Sequence, residues 1–101
     1  LPYREIDQSG VLSTALAFGK ALVLSDVGGF AEVGAGALVA PGEPGELYAV
    51  LGRVLGDPAE RERLAGAARD AASGRLSWAA VARETRALYE TLCPPAGGAA
   101  A

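Results

Sequence analysis

Two short polar clusters in this sequence carry groups suited to holding an anion. The first is Asp7-Gln8-Ser9-Gly10, set directly before the apolar run from Val11 to Gly19. An amide and a hydroxyl ahead of a helix start lie beside the free N–H groups of its first turn. The helix dipole favours negative charge there, and phosphate is the usual guest. Gly10 lets the backbone come close to such a ligand. The second cluster, Ser25-Asp26-Val27-Gly28-Gly29, follows another apolar run. Neither cluster is a Walker A loop, because no Gly-Lys-Ser/Thr follows, and neither reads G-x-G-x-x-G. On the residues alone, Ser9 serves equally as a helix cap and Gly28-Gly29 as a turn.

The composition narrows the chemistry. The chain has 101 residues, half of them hydrophobic and about a fifth charged, which describes a globular domain or part of one. Net charge is −3, so no basic field draws nucleic acid or anionic lipid. Histidine is absent, which removes the commonest general base and metal ligand. The single cysteine, Cys93, cannot form an intrachain disulfide; a lone thiol fits a cytoplasmic setting, and its place suggests a small hydrophobe closing a helix. No run of about 18 apolar residues is present to span a membrane. The sequence contains no methionine and no signal-peptide pattern, so it reads as a piece of a longer polypeptide.

The elements that must position the two clusters follow from punctuation and periodicity. Leu1 to Tyr3 reads as a strand end. Ser9 caps a helix carrying Val11, Leu12, Ala15 and Leu16, and Gly19 ends it. Lys20 then suits the negative end of that helix. Ala21 to Leu24 and Ala37 to Ala40 are short continuous apolar runs, as expected of strands buried on both faces. Phe30 to Val33 reads as one helical turn. Asp26 and Glu32 are expected to bond backbone amides of the loop or to cap that turn. Leu47, Val50, Leu51, Val54 and Leu55 mark a one-faced helix. Asp57-Pro58 starts the next, with Leu64, Ala67, Ala68 and Ala71 inward and Glu60 to Arg63 outward. Ser77 caps the last, where Trp78, Val81, Ala82, Thr85, Leu88, Tyr89 and Leu92 form a stripe with Trp78 and Tyr89 as packing anchors. The expected fold is α/β: a partial Rossmann-like parallel sheet with flanking helices and a helical C-terminal half, over residues 1–92. Residues 93–101 read as a disordered tail. Two or three short strands are not a whole sheet, and both polar clusters fall on the carboxyl edge of those present.

The joint order of these segments resembles a known family. L-P-Y-R-E-I-D-Q-S-G-V-L-S-T-A-L-A-F-G-K at 1–20, A-L-V-L-S-D-V-G-G-F-A-E-V at 21–33 and G-A-L-V-A-P-G-E-P at 36–44 look like the C-terminal, donor-binding part of a group 1 (family 4) glycosyltransferase. Such enzymes have the GT-B fold of two facing Rossmann-like domains. The spacing onward to L-S-W at 76–78 and A-L-Y at 87–89 fits as well.

The resemblance implies transfer of a sugar from a nucleoside diphosphate sugar to an acceptor, with retained anomeric configuration and no metal or other cofactor. It places Gln8, Ser9 and Gly10 at the donor diphosphate, with Val11 and then Thr14 toward the ribose. It puts Glu5 and Asp7 on the donor-sugar side. Many relatives carry two glutamates eight residues apart; aligned through Phe18-Gly19-Lys20, those places hold Ile6 and Thr14. The chain resembles instead a branch with a P-Y-x-x-x-x-Q-S-G sequence. The implied partners are a nucleotide sugar and an N-terminal acceptor domain of the same polypeptide, with no nucleic acid, and with room for peripheral membrane association of the parent protein. This stretch alone is expected to be inactive. Two other readings stay open: a fragment of a GT-B epimerase or phosphorylase, and a non-catalytic remnant or interaction module whose incomplete sheet seeks pairing.

Overall fold

The computed structural model describes residues 1–95. Residues 96–101, which hold most of the expected tail, lie outside the described residues. The elements run α1 (Gly10–Ala17), β1 (Val23–Ser25), a 3-10 turn (Ala31–Val33), β2 (Ala37–Val39), α2 (Pro44–Gly56), α3 (Pro58–Ser73) and α4 (Trp78–Leu92). The architecture is the expected mixed α/β one.

β1 and β2 pair in parallel, with Val23 opposite Ala37, Leu24 opposite Leu38 and Ser25 opposite Val39. The ladder is shorter than the apolar runs because β2 is short and gives way to Ala40-Pro41-Gly42. Leu1 extends the layer on the other side of β1. Its amine donates to the Val23 carbonyl at 2.9 Å, and its carbonyl accepts from the Ser25 amide at 3.2 Å. Those two bonds are the parallel pattern expected of a strand end.

Alternation across the strands builds an apolar layer on each face of the sheet. Leu22 and Leu24 meet Leu12 and Leu16 of α1, together with Phe30, Ala35 and Ala68 of α3. Val23 meets Ala37, Val39, Val50 and Val54, with Leu64 of α3. α3 therefore closes both layers, through Leu64 and Ala68 one helical turn apart on its inner face. Its start is fixed as the sequence indicates, with the Asp57 carboxylate accepting from the Ala59 and Glu60 amides.

α1 ends at Gly19, whose φ of +62° only glycine takes without cost. A Cβ there would also sit 2.7 Å from Cγ of Arg69.

α2 and α4 depart from their expected packing. On α2, Val50 and Val54 are buried, but Leu51 and Leu55 face out. The sheet touches only part of that wide stripe. On α4, Ala80 is the one buried residue. Trp78 is 88% exposed and Tyr89 65%, so neither anchors packing within the described residues. The stripe forms the helical face its spacing indicates, but no other element among the described residues covers it. Cys93 caps the end of α4 by donating its amide to the Tyr89 carbonyl at 2.7 Å, yet it is exposed rather than a buried hydrophobe. The shape reflects this: the radius of gyration is 18.1 Å, against about 13 Å for a compact chain of this length.

Candidate ligand groove at the start of helix α1

The Asp7–Gly10 turn sits at the N-terminus of α1, as its residue types require. Ser9 has extended backbone angles, and its Oγ accepts from the Leu12 amide at 3.2 Å. The capping role is thus realised, and it leaves the Ser9 hydroxyl proton available as a donor. The amides of Gly10 and Val11 have no partner among the described residues. Nothing lies within 4 Å of where a Gly10 Cβ would stand, so the helix start faces open space.

The second cluster lies against the first. Gly28 has φ +51°, and a Cβ there would be 2.0 Å from the Ile6 carbonyl oxygen. Its neighbour Gly29 also approaches the Asp7 carbonyl. The two polar loops share one edge, and they do so backbone to backbone. Glycine at position 28 is required twice, for its left-handed φ and for this close approach. Tyr3 stacks edge-on against buried Phe30 at 6.0 Å, which pins the incoming strand end to the same loop.

Between these loops, the exposed side of α1 and the start of α4 runs a groove of about 860 Å³. Asp7, Gln8, Ser9 and Gly10 line its polar end, and Gly29, Phe30 and Val33 its side. Leu12, Ser13 and Leu16 continue along α1 to Leu76, Ser77, Trp78 and Val81 at the far wall. Of the residues placed at the site by sequence, the groove therefore unites Asp7, Gln8, Ser9 and Gly10. Glu5, Val11 and Thr14 are exposed outside that lining. Thr14 donates its hydroxyl to the Gly10 carbonyl at 3.0 Å, one turn back in its own helix. Asp26 and Glu32 do not cap or brace the loop: both are exposed, and neither carboxylate accepts a hydrogen bond among the described residues. Backbone bonds hold part of the loop, such as the Asp26 amide to the Val39 carbonyl at 2.8 Å.

Ser13 and Trp78 also line the groove. Ser13 lies one helical turn after Ser9 and so on the same face, a signal the spacing itself carries. Trp78, expected as a packing anchor, lines the groove instead, because its place depends on how α4 leaves α3. No three His, Cys, Asp or Glu side chains gather among the described residues, and no described helix is long and apolar enough to cross a membrane.

Known proteins share this sequence and shape. No family model matches the chain. The MMP α-(1→4)-mannosyltransferase of Mycolicibacterium hassiacum is 41% identical over 81 residues, covering 75% of this chain and 20% of that protein. The α-maltose-1-phosphate synthase of Mycobacterium tuberculosis is 36% identical over 89 residues, covering 78% of this chain and 23% of that protein. Among solved structures, the sucrose-phosphate synthase of Thermosynechococcus elongatus superposes with a TM-score of 0.78 at 28% identity, over 90% of this chain and 24% of that one. The chain thus spans between a fifth and a quarter of the length of the proteins it matches. In sequence and in fold, the chain belongs with the GT-B glycosyltransferases.

Proposed function

We propose that this chain supplies the donor side of a retaining glycosyltransferase, and that the start of α1 holds the diphosphate of a nucleoside diphosphate sugar. The observation that carries the reading is the pair of unpartnered amides, Gly10 and Val11, opening into a groove with the Gln8 and Ser9 side chains beside them. Sugar transfer by the mannosyltransferase and synthase relatives supports the reaction class.

In this reading the residues divide the work. The α1 amides and the Ser9 hydroxyl donate to the diphosphate oxygens. As the glycosyl bond breaks, charge grows on that leaving group, and donors already aimed at it stabilise the charge without reorganising. Gln8 adds an amide donor beside them. Asp7, the one acid in the groove, accepts from hydroxyls of the donor sugar. No metal or further cofactor enters the scheme. The acceptor site belongs to a second domain outside these residues, as expected where relatives are several times longer. By itself the chain is expected to bind donor without turning it over.

Titration calorimetry with UDP, GDP and ADP tests the reading. One of them should bind, and Gly10→Val should weaken it at least tenfold. The space around Gly10 lets the helix accept the new side chain, so the melting temperature should hold. Equal affinity in Gly10→Val, or no binding of any of the three, would overturn the assignment.

A further inference from the structure

The linker between α3 and α4 reaches back to the glycine loop through a single side chain. Arg75 donates through one guanidinium nitrogen to the carbonyls of Glu32 and Val33, the latter at 3.1 Å. Both carbonyls belong to the 3-10 turn, whose last residue is followed by Gly34 at φ +68°. A chain leaving a short turn this way strands its final carbonyls, and a guanidinium satisfies them with charge-assisted bonds. Neither Asp26 nor Glu32 braces this loop with its own side chain, so Arg75 is the brace.

The brace bears on the groove from two sides. On one side, the turn continues from Gly28-Gly29, and Gly28 lies directly on the Ile6 carbonyl at the root of the Asp7–Gly10 turn. On the other, Leu76, Ser77 and Trp78 follow Arg75 and form the far wall of the groove. We infer that Arg75 is a positioning residue for the α1 ligand site: it sets the distance between the glycine loop and the far wall, and so the register of Gln8 and Ser9 against their ligand. The inference rests on the donor-site reading for what the groove binds, but not for what the arginine holds. Lysine in its place reaches the same carbonyls with a single flexible ammonium, which lacks the planar fork.

Amide hydrogen exchange and nucleotide titration, run on the same proteins, separate the two claims. In Arg75→Ala, the amides between Gly28 and Gly34 should exchange about tenfold faster, while those of β2, α2 and α3 keep their rates. Whichever nucleoside diphosphate the wild-type chain binds should bind Arg75→Ala about five- to tenfold more weakly, with Arg75→Lys in between on both scales. Unchanged loop exchange in Arg75→Ala would overturn the inference. So would an increase spread evenly over the chain, which would make the residue a general stabiliser only; if Arg75→Ala does not fold, Arg75→Lys decides on the same two criteria. A wild-type chain that binds none of UDP, GDP and ADP sinks the donor-site reading, and the exchange data still decide whether Arg75 holds the loop.

Discussion

α3 and α4 are helices of nearly equal length, 16 and 15 residues, and both start on a side-chain cap. They have opposite fates. α3 carries the weaker stripe, mostly alanine, and sinks Leu64 and Ala68 completely between the two apolar layers. α4 carries the richer stripe, with Trp78, Val81, Leu88, Tyr89 and Leu92, and leaves all of it exposed. Hydrophobicity states what a face would gain by burial. Only the neighbouring elements determine whether it is buried. α3 crosses α1 and α2 and is locked by both, whereas the described residues contain nothing that reaches the α4 face. An isolated helix of this length is marginal in water, so α4 depends on a cover that α3 already has.

The sharpest way to break this contrast is to make the same deletion in each helix. Leu64→Ala should cost about 3 kcal/mol in a urea titration, because it opens a cavity where both layers meet. Leu88→Ala should stay within about 0.5 kcal/mol. A comparable loss at Leu88 would mean that α4 is covered after all. The caps give a second, smaller comparison. Asp57→Ala should lower global stability by about 1 kcal/mol. Ser77→Ala removes an equivalent bond, from the Ala80 amide to Ser77 Oγ, but should show only as faster exchange in the first turn of α4. A shift of the global midpoint in Ser77→Ala would tie α4 to the core.

Smaller still is the effect of blunting the exposed face. The double change Trp78→Ser with Tyr89→Ser should move the melting midpoint by less than about 0.5 kcal/mol, while markedly reducing the fluorescence of a bound apolar dye. The smallest effect belongs to α3's outer surface. Glu60 accepts from Arg63, which holds its carboxyl below the usual range, chiefly through that hydrogen bond. A carboxyl depressed in the folded state adds stability above its unfolded pKa, near 4.3, and that stability is lost as pH falls through the lower folded value. Glu60→Gln should therefore lower stability slightly at neutral pH, where that contribution is fully present, and flatten the acid-side decline, so that the two proteins converge at low pH.

The same pair of helices marks how far the sequence could be read. Local rules were fully legible: Ser9, Asp57 and Ser77 each cap the helix their position indicates, and Gly19 ends α1 in the left-handed conformation. The parallel strands and the shared edge of the two polar loops were legible as well, because order and strand direction fix them. Coverage was not. Trp78, Tyr89, Leu51 and Leu55 sit on correctly placed faces left exposed among the described residues, and periodicity carries no information about neighbours. The polar details failed for a related reason. Asp26 and Glu32 have suitable chemistry for bracing the loop, but a guanidinium from distant Arg75 takes that place, and such a contact has no local signature. Thr14 turns its hydroxyl back onto its own helix, a choice that spacing alone does not resolve.

The seal at the end of α1 has a consequence for the order in which the chain assembles. Gly19 and Arg69 touch so closely that no side chain fits between them, yet they come from elements far apart in sequence. β1 and β2 need only a short loop to meet, so their pairing costs little closure entropy and can come early. The α1–α3 seam must close a longer loop, so its contacts are expected to form later than the β1–β2 pair. Late contacts influence unfolding more than folding. A side chain forced in at position 19 would therefore leave the refolding rate nearly untouched and shorten the lifetime of the native state, making Gly19 a timer for how long the α1 site persists once formed.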